Sequence, residues 1–158
     1  MTRRYVVRTS PIHGKGVFAA VDLPAGETLM EYKGARIPRA EARARDAALT
    51  ASGHTYLFDI NDDWIIDGSV GGNAARFINH GCDPNCEPLI HVNIDGDARR
   101  DKVLIHTLRP IRAGEELTFD YGIVLAVPHT ARMRKLWACH CGSARCRGTM
   151  LAERRTHR

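Results

Sequence analysis

The densest reactive chemistry in this 158-residue sequence is its five cysteines, three of which, Cys139, Cys141 and Cys146, lie within CHCGSARC. Thiols packed this closely near a chain end, with a glycine between them, make a metal knuckle, and zinc is the ion that thiolates favour. Zinc takes four ligands, so one must come from elsewhere. Cys82 and Cys86 in NHGCDPNC are the remaining thiols, with His140 and His106 as weaker candidates. A disulfide cluster fits poorly with an odd cysteine count, and the N-terminus, MTRRYVVR, lacks the apolar core and cleavage site of a secretion signal. A ligand more than fifty residues upstream would staple the knuckle to the middle of the domain.

Three further groups of residues invite a chemical reading. His13-Gly14-Lys15-Gly16 lacks the long glycine loop ending in Lys and Ser or Thr that cradles a triphosphate, so a nucleotide P-loop is excluded. Two glycines still permit close backbone approach to a ligand; a plain β-turn explains them as well. Asn79 and His80 follow the apolar pair Phe77-Ile78 where burial would continue, and buried polar groups need partners. The Asp83-Pro84-Asn85 turn lets Asn85 bond back to the main chain. Tyr56 in TYLFDI, and Phe119 and Tyr121 in ELTFDYG, taken singly, read as core packing.

The elements that must position these residues are mostly strands. YVVR, TLMEY, YLFDI, WIID, LIHVNI and KVLIHTL are short, rich in β-branched and aromatic residues, and separated by Gly, Pro, Asn and Asp. One stretch reads as helix: Pro38 fits a first turn, RAEARARDAALTA follows, and Gly53 stops it. A shorter helix is expected near Asn73 to Ile78, and a turn at Ala131 to Leu136. Residues 23–29 (LPAGETL) echo residues 111–117 (IRAGEEL), each reading as a glycine turn that launches a strand. Asp95 to Asp101 reads as an exposed hairpin loop, and from Gly122 to Arg134 the pattern weakens into a linker.

The chain has room for one domain, 44% apolar and 26% charged residues, and no apolar run long enough to span a bilayer. No membrane partner is expected. The net charge of +5 and the basic end, Arg154, Arg155, His157 and Arg158, would suit nucleic acid or an acidic protein. All but four of the 23 basic residues are Arg, so genome composition explains the charge equally well.

SPIHGKGVFA, TYLFDI, GNAARFINHGCDPNC and GEELTFDYG, followed by CHCGSARCRG, occur in an order that resembles the SET-domain protein lysine methyltransferases with a post-SET zinc segment. The resemblance covers about Arg4 to Met150 and is nearest to trithorax-like histone H3 methyltransferases. It implies a mainly β fold of small curved sheets in which the C-terminal strand threads the Asn79–Asn85 segment as a pseudoknot. It also divides the chain into a SET domain over 1–122 with a helical insert at about 38–52, a linker over 123–135, a post-SET segment over 136–150 and a basic tail over 151–158.

The implied reaction carries a methyl group from S-adenosylmethionine to the amine of a protein lysine. By the same carry-over, Tyr121 is the catalytic residue, Tyr56 and Phe119 line the lysine channel, and His13, Gly14, Lys15, Gly16, Tyr56, Asn79 and His80 meet the cofactor. Cys82, Cys139, Cys141 and Cys146 hold zinc, which brings Leu136, Trp137 and His140 toward the adenine and the channel; Cys86 is the spare thiol. Aromatic walls would desolvate the lysine ammonium and lower its pKa, so no dedicated general base is required. Phe119, where trithorax-like relatives mostly carry Tyr, implies di- or trimethylation and leaves the substrate open among a histone tail, a histone-like DNA-binding protein and an unrelated protein. The expected location is intracellular: cytoplasm or nucleoid in a bacterium, otherwise a nucleus or host nucleus. The competing reading is a zinc-stabilised SET-like module that binds chromatin or nucleic acid without turnover; intact Tyr56, Asn79, His80 and Tyr121 argue against it.

Overall fold

In the computed structural model, which describes residues 3–43, 51–53 and 55–153, the β-branched and aromatic runs form four small sheets. Residues 44–50 of the expected insert and 154–158 of the expected basic tail lie outside the described residues. β1 (Tyr5–Thr9) and β2 (Lys15–Ala19) form an antiparallel hairpin across the glycine turn. β3 (Thr28–Glu31), β8 (Cys86–His91) and β9 (Lys102–Thr107) form a sheet with β9 in the centre. β4 (Ala35–Pro38), β5 (Leu57–Asp59) and β6 (Trp64–Asp67) form another around β6. The fourth is two residues wide: β7 (Asn79–His80) pairs in parallel with β10 (Thr118–Phe119). The mainly β expectation holds.

This last pairing makes the pseudoknot. On its other side the strand is held by Asn85, whose carboxamide donates to the Glu116 carbonyl at 2.8 Å and accepts from the Thr118 N–H at 2.9 Å. The Asn85 carboxamide therefore bonds main chain more than thirty residues away in sequence, where the sequence suggested a bond back within its own turn. Around this crossing lies the main core, with Val17, Ile66, Ile78, Val103, Ile105 and Leu117 all fully buried. Side chains of this size contribute about 1.5–3 kcal/mol each on burial.

The two echoing segments face each other. Leu23 and Ile111 exchange backbone hydrogen bonds of 2.7 and 2.9 Å. The Gly26 N–H donates to Thr107, just before the second segment, and the Gly114 N–H to Ala19, just before the first. Both glycines have positive φ, 73° and 92°, as the turn reading requires.

Several local expectations are corrected. Pro38 ends β4 opposite Trp64, and the helix α1 (Arg39–Arg43) starts after it; β4 is an edge strand, where a missing N–H costs no ladder bond. The expected helix near residues 73–78 is a single 3-10 turn, Ala74–Phe77, because Asn79 is drawn off into β7. The 95–101 loop carries its own 3-10 turn, Ala98–Arg100, capped by Asp97. Residues 123–136 are more than a linker. Leu125 packs with Trp137 and Leu151 in a separate cluster, Ile123 bridges Leu151, and Thr130 caps α2 (Ala131–Leu136) by accepting from the Met133 N–H.

Gly34 lies between β3 and β4 where a Cβ would sit 2.3 Å from the Asp67 carbonyl oxygen, whereas a Cβ at Gly96 meets nothing within 4 Å but inherits a φ of +77°. Gly34→Ala is expected to destabilise the fold by about 2 kcal/mol through forced backbone movement, and Gly96→Ala by about 1 kcal/mol. Thermal melts of the two variants compare them directly.

Candidate functional site

The site begins at the glycine turn. Gly14 has a φ of 45° and open space around its Cα, and His13, Gly14 and Lys15 are exposed along one side of a cleft of about 530 Å³. The turn is fixed from below by Glu116. Its carboxylate accepts from the Ser10 hydroxyl at 2.6 Å and from the Asn79 carboxamide at 3.1 Å, and that carboxamide also donates to the carbonyls of His13 at 3.2 Å and Lys15 at 3.0 Å. Gly16 is buried and does not border the cleft; a Cβ there would meet the Glu116 carboxylate and Ser10 at 3.0 Å. Its part is to leave room for Glu116.

The same cleft is bordered by Tyr56, Phe77, Asn79, His80, Tyr121 and His140, so residues from five separated stretches of sequence converge on it. Lys15 Nζ stands 5.5 Å from the centre of the Phe77 ring, and Tyr56 meets that ring edge-on at 6.5 Å. Trp137 also borders the cleft but has no exposed surface, and it centres the C-terminal cluster with Leu125 and Leu151.

Behind the cleft lies a chamber of about 50 Å³ walled by Tyr32, Phe58, Ile78, Phe119 and Tyr121, and beyond it a groove of about 420 Å³ between β5 and residues 122–126. Tyr121 and Thr55 border all three spaces. The Tyr121 hydroxyl donates to the Ile78 carbonyl, and burial holds its phenol well above the usual tyrosine range, so it stays protonated. Phe119, 3% exposed, packs against Phe58 at 6.1 Å and Tyr121 at 5.0 Å. The Tyr32 hydroxyl donates to the Tyr56 carbonyl at 2.8 Å and so steadies the chamber's rim.

The sulfurs of Cys82, Cys139, Cys141 and Cys146 lie within 4.8 Å of one another, with Cys82 and Cys139 3.7 Å apart. A tetrahedral zinc with Zn–S bonds of about 2.3 Å needs sulfurs about 3.8 Å apart, so the four thiols fit zinc. Backbone N–H groups of Cys141, Arg147 and Gly148 each approach a sulfur at 3.4 Å, which stabilises thiolate charge. Burial pushes the Cys141 thiol up, but hydrogen bonds from the Cys82 and Ser143 backbone and from neighbouring thiols bring it down to about 7. Cys86 lies outside this set and pairs with Thr107 in the central sheet; burial pushes its thiol up to about 12. His140 and His106 are outside it too.

His80 joins the two halves of the site. Burial lowers its pKa to about 4, leaving it neutral at ordinary pH. Its Nδ1 accepts the Tyr121 N–H at 3.0 Å, and its Nε2 lies 3.3 Å from Cys82 Sγ, which puts the proton on Nε2. The imidazole is thus occupied by Tyr121 and a thiol, and the Asn79 carboxamide by the glycine turn.

Sequence reasoning did not single out Ser10, Tyr32, Thr55, Phe58, Arg76 or Glu116. Phe58 lay inside a quoted motif, and alternation from Tyr56 would have put it on a shared face. Nothing local distinguishes Glu116 from its neighbour Glu115, because its partners are more than thirty residues away.

Fold and site together define a β protein in which a cysteine knuckle fit for zinc is docked beside a cleft, and the cleft meets a small aromatic chamber at Tyr121 and Thr55. The chain belongs to the SET-domain family, whose model, described as SET domain, matches residues 14–122. Over 88% of its length it is 38% identical to the "Histone-lysine N-methyltransferase, H3 lysine-4 specific" of Emericella nidulans, the match covering 11% of that protein. It is 39% identical over 87% of its length to the "Histone-lysine N-methyltransferase trithorax" of Drosophila virilis and 38% identical over 89% to the human "Histone-lysine N-methyltransferase 2B", covering 3% and 5% of them. The chain therefore spans only a small part of the length of these relatives.

Alkylation with iodoacetamide at pH 8 should separate the thiols. The zinc-loaded chain is expected to resist labelling, the chelated chain to take up four groups, and Cys86 to react only after denaturation. Intact-mass spectrometry counts the additions, and labelling of Cys86 before Cys82 would reverse the assignment.

Proposed function

We propose that this chain is a protein-lysine methyltransferase that uses S-adenosylmethionine, and the observation that carries the proposal is the meeting of cleft, chamber and groove at Tyr121. When bound, S-adenosylmethionine supplies a methyl group activated by a sulfonium. The cleft suits such a ligand: its volume falls in the range of small-molecule sites, Phe77, Leu136 and Met150 offer apolar wall, and Lys15 and His13 offer positive charge and donors for a carboxylate. The chamber suits an extended aliphatic side chain ending in an amine, and the groove suits the peptide that carries it.

The chain's own residues then perform three tasks. Tyr32, Phe58, Phe119 and Tyr121 exclude water from the amine, which lowers its pKa and favours the neutral nucleophile. The proton leaves to solvent before the nitrogen lone pair attacks; no carboxylate or neutral imidazole borders the chamber among the described residues. The Tyr121 phenol, anchored by its own proton to the Ile78 carbonyl, keeps its oxygen lone pairs for the amine and for the positive charge that moves onto nitrogen. Zinc on Cys82, Cys139, Cys141 and Cys146 would hold the C-terminal segment against the cleft.

Histone H3 is the first substrate to test, since the relatives are named for histone lysine methylation and two of the names specify H3 lysine 4 or trithorax. A nuclear or chromatin setting follows from that reading, and no helix among the described residues is long and apolar enough to cross a membrane. Phe119 supports di- or trimethylation, because a phenyl ring in that wall leaves room that a hydroxyl and its water would fill.

Tyr121→Phe is expected to cut transfer from labelled S-adenosylmethionine by roughly 10²-fold, while loss of the hydroxyl bond to the Ile78 carbonyl lowers the melting temperature by a few degrees and leaves the chain folded by circular dichroism. Phe119→Tyr should move the end product toward monomethyl-lysine in mass spectra of an H3 peptide. Full activity in Tyr121→Phe would remove the tyrosine from the reacting centre, and a monomethyl end point in the unaltered chain would overturn the product assignment.

A further inference from the structure

The C-terminal unit, residues 123–152, carries its own apolar cluster and three of the four thiols, so its orientation on the domain body decides how the cleft is closed. Besides the chain connection at Gly122 and the packing of Leu136 on Gly53, Cys82 ties it to the body through the sulfur cluster. Neither the chain connection nor apolar packing fixes its rotation as a directional polar link would. Among the described residues a second polar link is present. Arg147 follows the ligand Cys146, and its guanidinium forks onto Asp120, Nη1 to Oδ2 at 2.9 Å and Nη2 to Oδ1 at 3.2 Å. Its backbone N–H meanwhile points at Cys82 Sγ.

Asp120 is the residue before Tyr121. Its Oδ1 also accepts from the Gly122 N–H at 3.0 Å and lies 3.6 Å from His80 Nδ1, the atom that receives the Tyr121 N–H. The backbone on both sides of Tyr121 is therefore held by one carboxylate and one imidazole, and the carboxylate is held from across the interface by Arg147. Both partners are partly shielded, at 26% and 40% exposure of their side chains, and a planar two-bond fork fixes orientation as well as distance. The Arg147 Nε is buried without a hydrogen bond, so the guanidinium depends on this carboxylate.

We propose that Asp120 and Arg147 form a metal-independent latch that sets the zinc-binding segment in register with Tyr121, which makes both of them positioning residues for the reacting centre. The inference rests on the methyltransferase reading for its consequence in turnover, but the latch itself is measurable without it. The experiment compares the zinc-loaded full chain with Asp120→Asn, Arg147→Gln, Arg147→Lys and the Asp120→Asn/Arg147→Gln double variant. Zinc release to an excess of a coloured chelator is followed alongside the KM for S-adenosylmethionine and kcat.

Asp120→Asn keeps an oxygen for Gly122 and so preserves the local turn. Each single variant is expected to release zinc about fivefold faster, the upper range for a partly exposed ion pair, and to raise the cofactor KM by a similar factor, with circular dichroism unchanged. The double variant should be no worse than either single, and Lys at 147, which keeps charge but loses the fork, should recover less than half of the effect. Release at the unaltered rate in both single variants, effects that multiply in the double, or full rescue by Lys would each overturn the latch. If the unaltered chain transfers no methyl group, the functional reading falls while the zinc-release comparison still decides the latch.

Discussion

The parallel pairing of Asn79–His80 with Thr118–Phe119 brings together two segments about forty residues apart, and the remaining parts of the site take their positions from it. Two residues of ladder would be marginal alone. The crossing persists because Asn85 brackets the strand from the other side, Leu117 and Phe119 are buried in the main core, and the Tyr121 hydroxyl reaches back to the Ile78 carbonyl. Once the strand is threaded, Tyr121 must emerge where cleft, chamber and groove meet, and Cys82 must lie two residues beyond the imidazole that receives the Tyr121 N–H.

Around this crossing most buried polar groups among the described residues are gathered into hydrogen-bonded sets, with Arg76 Nε and Arg147 Nε as exceptions. Glu116 collects Ser10 and Asn79, and Asn79 in turn holds the carbonyls of the glycine turn. Asp120 is pushed up by burial, yet the Arg147 fork and the Gly122 N–H outweigh this and keep it below the usual carboxylate range. In a low-dielectric setting such sets are directional and stiff, whereas an incomplete set would cost several kcal/mol. The C-terminal cysteine segment thus meets the strand that leads to Tyr121 through defined hydrogen bonds as well as through the sulfurs.

Much of this was legible in residue order. Short runs rich in β-branched and aromatic residues, set between turn residues, placed the strands because such signals are local, and the echo of 23–29 and 111–117 foresaw two glycine turns of the same kind. The knuckle was legible as a zinc motif because three ligands lie close in sequence. Pro38 was misread because proline suits both a first helical turn and an edge strand, and only the pairing with Trp64 decides between them. Gly16 and Trp137 kept their motif positions, yet one gives space to Glu116 and the other fills a core.

The amino-acid sequence by itself determined the family, the mainly β fold and the residue types that meet at the site, since each of these rests on patterns within short windows or on motifs in a fixed order. Spacing alone left open which of two thiols joins Cys139, Cys141 and Cys146, because Cys82 and Cys86 are equally near in sequence; only the family resemblance pointed to Cys82. Tertiary structure decided that question: the strand that begins at Cys86 carries its thiol into the central sheet, while Cys82 stays on the loop that faces the knuckle. It also decided the partners of Glu116, Asp120 and His80. Hydrogen bonds between segments remote in sequence depend on how the chain crosses itself, and a crossing leaves no local trace in residue order.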